Sequence, residues 1–211
     1  MRQECATLFG GGFHFDSNGG LGNGLYIEEH YIGYIEEVEV TGDTYGLKVT
    51  GNTSCTIRDL NVNSSPNGAS LQIASMPDGH LKLQDIYLEA QSTQSLAITD
   101  CDALSTITID GVYEENSAVE TVIDNSNCVE IKNFRTNAAT KGIKVQNGCQ
   151  NINVEVKAVD RFEANPVLTI EDDCDVSASV TYNSDDQSVD GRDYALVVGE
   201  LAGKRSISSN T

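Results

Sequence analysis

The chain has 211 residues, with 32 acidic and 13 basic side chains that give a formal charge of −19. A charge of this sign repels the phosphates of nucleic acids, so we expect no nucleic-acid partner. No apolar run of about 18 residues and no charged-then-apolar leader is legible, and we therefore expect neither membrane insertion nor a secretion signal. Because only 6% of the residues are aromatic and none is Trp, the core should be thin and aliphatic.

Glycines punctuate the start of the chain. The short alternating segment Phe13-His14-Phe15 lies between two glycine clusters, and glycine clusters mark turns. We predict an irregular, glycine-rich N-terminal cap over residues 1–24, a regular body over residues 25–200 and a polar C-terminal tail over residues 201–211.

Short runs that alternate apolar and polar residues recur through the body. In the clearest repeat, three runs begin at Leu47, Cys55 and Leu60. Alternation with period two is typical of strands rather than helices. The opening runs of successive repeats begin at Leu25, Leu47, Leu71, Leu96, Thr121, Ile143, Leu168 and Leu196. Their average spacing of about 24 residues is typical of stacked repeats, so the sequence predicts a solenoid.

The apolar positions of the runs predict which side chains fill the interior. The expected core residues are Leu47, Val49, Ile57, Leu60, Leu71, Ile73, Leu96, Ile98, Ile109, Ile131, Phe134, Ile143, Val145, Leu168 and Ile170.

Two residues separate the middle run from the third run in four repeats. These pairs are Arg58-Asp59, Gln84-Asp85, Asp110-Gly111 and Lys132-Asn133. Asp, Asn and Gly adopt a left-handed backbone at low cost, so we predict a sharp bend at the same corner of each coil. In the next repeat, residues 151–156, the position of the corner stays open by two residues.

The period, the strand triplets and the two-residue corner resemble the right-handed parallel β-helix family over residues 25–200. That family includes pectate lyases, other polysaccharide-degrading enzymes, and the tailspikes and tail fibres of bacteriophages. The resemblance implies an all-β solenoid with three strands per coil and about seven coils. The motifs that mark polygalacturonases and pectate lyases are not recognisable in this sequence.

A sulfur-bearing residue follows the opening run in six repeats, at Cys55, Met76, Cys101, Cys128, Cys149 and Cys174. Parallel coils stack about 4.8 Å apart, so we expect an internal ladder of reduced, buried side chains. Zinc is disfavoured because no Cys-x-x-Cys occurs, and disulfides because adjacent rungs hold their Cβ atoms slightly too far apart. Cys5 lies outside this ladder.

An acidic ridge should lie beside the sulfur ladder, formed by Asp78, Asp100, Asp102, Asp124, Asp172, Asp173 and Asp175. Glycoside hydrolysis needs two carboxyl groups about 5–9.5 Å apart, but neighbouring coils give this spacing automatically. Calcium is an alternative at the last three residues, which lack an EF-hand-like spacing. We interpret the ridge as solvated surface, leave both alternatives open, and assign no catalytic, cofactor-binding or metal-binding residue.

The resemblance to the parallel β-helix family, with no recognisable catalytic motif, implies a structural or receptor-binding component of a virus particle, similar to a tail fibre or tailspike, with no cofactor and no evident catalysis. The alternative is a polysaccharide lyase or glycoside hydrolase on the same fold. A β-helix ends in two open sheet edges, so we expect these edges to be covered in a closed homo-oligomer, a trimer above all. Expected further partners are other virion proteins and a host surface glycan, and the expected location is the virion or otherwise the extracellular space.

Overall fold

A computed structural model describes residues 6–16, 23–29, 31–41, 45–63, 68–89, 94–115, 119–137, 142–158, 167–171, 173–182, 196–198 and 205–210. Within these ranges the chain alternates between two sheets, A and B, in which all strand pairs are parallel. Sheet A contains β1 (Ala6–Asp16), β3 (Tyr31–Thr41), β5 (Ser54–Asn63), β7 (Asp78–Glu89), β9 (Leu104–Glu115), β11 (Asn127–Asn137), β13 (Gln150–Ala158), β15 (Val176–Tyr182) and β17 (Arg205–Asn210). Sheet B contains β2 (Asn23–Glu28), β4 (Tyr45–Thr50), β6 (Leu71–Ala74), β8 (Leu96–Thr99), β10 (Thr121–Asp124), β12 (Ile143–Gln146), β14 (Leu168–Ile170) and β16 (Leu196–Val198). No helix in the described ranges has the length and apolarity that a membrane crossing needs.

The predicted all-β parallel solenoid is confirmed, although the number of coils differs slightly from seven. The repeat register is also confirmed, since Leu25 pairs with Leu47, Leu47 with Leu71, and Leu168 with Leu196. Parallel pairing continues beyond the predicted body, because β1 pairs with β3 and β17 with β15. Sheet A therefore extends into the segments for which we predicted an irregular cap and a polar tail.

The middle and third runs of a coil form one long strand instead of the two separate strands that we predicted. The predicted corner lies within this strand, with positive φ at Asp59 (49°), Asp85 (54°), Gly111 (79°) and Asn133 (52°). Two successive side chains point outward there and the inward alternation then resumes. The bend is confirmed, and the strand continues across it because neighbouring coils bend at the same position and keep their pairing.

Strand β13 lacks this corner. Ile152, Val154 and Val156 are buried in uninterrupted alternation. Ile131 pairs with Val154 and Phe134 with Val156, so β11 has one residue more than β13 between these pairs. This register settles the position that the sequence left open.

All of the predicted core residues are buried, each at most 3% exposed. Burying a large aliphatic side chain contributes about 1.5–3 kcal/mol, so the interior apolar columns supply much of the stability of the solenoid.

One carboxyl group interrupts this apolar interior. Glu114 is 2% exposed, and its Oε1 accepts a hydrogen bond of 2.5 Å from Ser95 Oγ. The Ser95 hydroxyl also lies 2.9 Å from Thr121 Oγ1. A buried carboxyl group needs such partners because its desolvation is costly.

Candidate functional site

The predicted sulfur ladder exists with a changed membership. Met76, Cys101, Cys149 and Cys174 are at most 1% exposed. Ser126 occupies the rung between Cys101 and Cys149, since the Cys101 amide donates to Ser126 Oγ (3.3 Å) and the Ser126 amide to Cys149 Sγ (3.4 Å). The column therefore packs one corner of the interior.

Two predicted members of the ladder lie elsewhere. Cys55 pairs with Leu81 within sheet A, and Cys128 belongs to β11, where its φ is 54° and its side chain is half-buried. The thiols of Cys55, Cys101, Cys128, Cys149 and Cys174 are free, as predicted. Burial raises the pKa of Cys55 to about 12 and that of Cys149 to about 11, so these thiols are poor nucleophiles at neutral pH.

The acidic ridge follows a second left-handed corner, at the ends of the sheet B strands. Positive φ values recur there at Gly51, Ser75, Asp100 and Asn125. Backbone bonds stack these corners, for example from the Ser75 amide to the Thr99 carbonyl (2.9 Å).

Carboxylates of the ridge stabilise these turns. Asn125 Nδ2 donates to Asp100 Oδ1 (2.7 Å), while Asp124 accepts from Asn147 Nδ2 (2.6 Å) and Gln146 Nε2 (2.8 Å). Their oxygens serve as acceptors between neighbouring coils, which supports the interpretation of the ridge as structural surface.

The other ridge carboxylates have local partners. Asp78 accepts from the amide of the next residue (2.7 Å), as does Asp102 (2.7 Å), and Asp173 accepts from the Gly148 amide (3.2 Å). Asp175 is half-buried, and Asp172 lies outside the described residues. Within the described ranges, no group of three or more His, Cys, Asp or Glu side chains could hold a metal ion.

A groove that the sequence did not reveal lies on the outer face of sheet A, beside the corner. Its volume is about 510 Å³, and it crosses β7, β9 and β11. The lining residues are Asp85, Ile86, Tyr87, Asp110, Gly111, Val112, Tyr113, Asn133 and Arg135.

We call this groove, with the lining given above, the tyrosine groove. One of its walls is formed by outward side chains that lie above one another on successive coils. Tyr87 pairs with Tyr113 and Tyr113 with Arg135, so the three side chains lie on successive coils. The two tyrosine rings stack with centroids 5.7 Å apart and planes 15° apart. Tyr87 donates from its hydroxyl to Glu115 Oε2 (2.7 Å), which fixes the ring orientation. Burial, and then this bond to Glu115, raises the pKa of the Tyr87 phenol, so it remains a neutral donor.

The other wall is the corner itself. Asn133 Nδ2 donates to Asp110 Oδ1 (2.8 Å), and Lys157 Nζ donates to Asn133 Oδ1 (3.0 Å). At Gly111, a Cβ atom would lie 2.9 Å from Asp85 Oδ1, so glycine leaves room for that carboxylate beside the groove. The groove thus combines aromatic rings, carboxylate and amide acceptors, and a guanidinium donor.

The signal for this groove was present in the sequence but weak. Tyr87 and Tyr113 each follow the first apolar residue after the corner, so the repeat register places them in one column. Only their stacking distance and the shape of the corner show that they border a groove.

Comparison of the chain with protein-family models, with curated proteins and with solved structures gave no match.

Proposed function

We propose that this chain is a non-enzymatic recognition module of a virus particle, of the tail-fibre or tailspike type, that binds a surface glycan in the tyrosine groove. Its parallel β-solenoid fold is consistent with the β-helix family in which such proteins occur. A solenoid suits this role because its repeated pairing holds an extended binding surface rigid.

The stacked pair of Tyr87 and Tyr113 beside Asp85, Asp110 and Arg135 is the observation that carries the proposal. A sugar ring presents apolar C–H groups on its faces and hydroxyl groups at its edge. Tyrosine offers an apolar body with a polar tip, and carboxylate and guanidinium groups accept and donate hydrogen bonds to hydroxyls. The groove therefore offers complementary groups both to the apolar faces of a sugar ring and to its hydroxyl groups.

A polysaccharide lyase or glycoside hydrolase is the second candidate, favoured by the two carboxylates, Asp85 and Asp110, in the same groove. Incubation of the purified chain with a panel of neutral and anionic bacterial polysaccharides separates the two functions. We expect binding without release of reducing ends or unsaturated uronates. Release of either product would contradict the non-enzymatic proposal, and the lack of binding to any glycan would contradict glycan recognition.

The open sheet edges support a closed homo-oligomer, for which we propose a trimer with other virion proteins at its ends. Within the described ranges, β16 and β17 each pair with one neighbouring strand only, and such edges invite pairing with other chains. Light scattering in salt, which screens the charge of −19, tests this proposal. A monodisperse species of 22.7 kDa at high concentration would contradict the trimer.

A further inference from the structure

A second groove lies on the outer face of sheet A, on the opposite side of the corner from the tyrosine groove. Its volume is about 310 Å³. The lining residues are Gly33, Ser54, Cys55, Thr56, His80, Leu81, Lys82, Thr106 and Thr108. The parallel register places Lys82 between Thr56 and Thr108, and His80 beside Thr106, so hydroxyl groups surround the two basic side chains.

The described residues that line this second groove carry hydroxyl, imidazole and ammonium groups, and none of them carries a carboxylate. The backbone amide of His80 donates to Ser54 Oγ (3.0 Å), and the side chains of His80 and Lys82 are exposed. The hydroxyl, imidazole and ammonium groups of this lining can all donate hydrogen bonds, since Ser54 Oγ accepts the bond from the His80 amide and keeps its own proton, and Lys82 adds a positive charge. Such a set favours an oxyanion, because charge-assisted hydrogen bonds are stronger than neutral ones.

The charged side chains that neighbour the second groove lie outside its lining. Glu130 follows Thr108 in the outward column, but its carboxylate is paired with Lys132 Nζ at 2.8 Å. On the corner side, Arg58 lies two residues after Thr56 on β5, with its guanidinium over the Tyr34 ring at 5.2 Å, and it pairs with Glu36 of β3 in the strand register. Asp78 precedes the groove at the exposed start of β7, where its carboxylate accepts from a backbone amide. The positive charge of the second groove is therefore that of Lys82 in its lining, on a chain with a charge of −19.

We propose that the second groove binds an oxyanion, namely a carboxylate, sulfate or phosphate substituent of the glycan that occupies the tyrosine groove. This inference rests on the proposed function. Lys82 and Tyr87 lie five residues apart on β7. At about 3.3 Å per residue they are separated by at most about 17 Å, so one short oligosaccharide can reach both grooves. A glycan that occupies both grooves is thus anionic, whereas a neutral glycan contacts the tyrosine groove alone.

Sulfate and acetate ions test the oxyanion site without a glycan. The readout is the NMR signal of the His80 imidazole, which is assigned by its absence in the spectrum of His80→Gln. Sulfate or acetate is titrated into the protein, and sodium chloride at equal ionic strength serves as the reference. We expect a saturable shift with sulfate or acetate, and a dissociation constant raised about fivefold or more in Lys82→Gln. Lys48→Gln, which removes the same charge on sheet B, is the matched control and should leave the titration unchanged. Shifts that match those in sodium chloride, or a dissociation constant that is unchanged in Lys82→Gln, would overturn the inference.

Paired neutral and sulfated forms of one dextran oligosaccharide then separate this inference from the proposed function. We expect Lys82→Gln to weaken binding of the sulfated form only, and Tyr113→Ala to weaken both forms while the sulfate-ion titration stays normal. If both glycans bind equally well to wild type and Lys82→Gln, the oxyanion inference is wrong and the proposed function stands. If the sulfate ion saturates the site but Tyr113→Ala affects neither glycan, the tyrosine groove is wrong and the oxyanion site stands.

Discussion

The coils of β5 to β11 and those of β13 and β15 bury side chains in the same stacked positions of the interior. They differ at the corner of the sheet A strand. In the former, a residue with positive φ bends each long strand of sheet A. In the latter, the inward residues alternate without interruption, as Ile152, Val154 and Val156 do. The tyrosine groove lies only on the bent coils, because the corner forms one of its walls. One extra residue per coil therefore gives the outer face of sheet A the corner that borders the tyrosine groove.

Phe134 is the residue whose loss should damage the bent coils most. It is fully buried directly after the corner of β11 and pairs with the smaller Val156 of the straight coil. Phe134→Ala should lower the free energy of unfolding by about 3–5 kcal/mol, because it leaves a cavity. Urea denaturation measures this loss. Ile131→Val, on the other side of the same corner, is the control and should cost about 0.5–1.5 kcal/mol.

The buried thiols predict a loss of stability in alkali. Burial raises the pKa of Cys55 to about 12 and that of Cys149 to about 11, from 9.0. The unfolded chain therefore loses these protons first, and the stabilisation present below pH 9 is lost as the pH rises through each folded-state pKa. We expect Cys55→Ala, in a bent coil, and Cys149→Ala each to flatten the decline in unfolding free energy above pH 9. Equal slopes in both variants and wild type would contradict the assigned burial.

Asn133 and Asn153 provide a matched pair across the two regions. Asn133 has a φ of 52°, whereas Asn153 lies in uninterrupted β13. Asn133→Val should cost about 1–2 kcal/mol more than Asn133→Gly because a β-branched residue resists this conformation. Asn133→Gly should itself lower the stability, since it removes the hydrogen bonds to Asp110 and Lys157 and each is worth about 0.5–1.5 kcal/mol. Thermal unfolding should show little effect of Asn153→Val, and equal costs at both asparagines would contradict the corner.

Cys128 should give the smallest change in stability. Its side chain is half-buried on the outer face of β11, unlike Cys55, Cys101, Cys149 and Cys174 in the interior. Cys128→Ser should alter the unfolding free energy by less than about 0.5 kcal/mol and remove one rapidly labelled thiol from the native protein. A thiol-labelling count by mass spectrometry measures this. An unchanged count would place Cys128 in the interior ladder after all.

The buried positions and the corner of this fold could be predicted from the sequence better than the grooves on its surface. Inward positions such as Leu47 and Ile109 could be predicted because period-two alternation reports burial directly. The corner at Asn133 could be predicted because few residue types tolerate its conformation. The prediction of the sulfur ladder was wrong at Cys128 because it required a sulfur-bearing residue at every rung. Ser126 occupies that rung and follows its sheet B strand by two residues, as Met76 and Cys101 do.

The tyrosine groove could not be predicted because it depends on three coils at once. Tyr87, Tyr113 and Arg135 are far apart in the sequence, and only the register stacks them. Their groove also needs the bend at Gly111 and the carboxylate that this glycine admits. Alternation along one strand contains no information on such neighbours across coils.

Glycan affinity of Tyr113→Ala, measured against Tyr26→Ala, tests the recognition surface most directly. Tyr26 is 45% exposed on sheet B, so its loss removes an equally large exposed ring away from the groove. On the polysaccharide that binds the wild type most tightly, Tyr113→Ala should weaken binding at least about tenfold, because aromatic side chains at the centre of an interface contribute most of the binding energy. Tyr26→Ala should bind as the wild type does. Equal affinities for both variants would contradict recognition at the tyrosine groove.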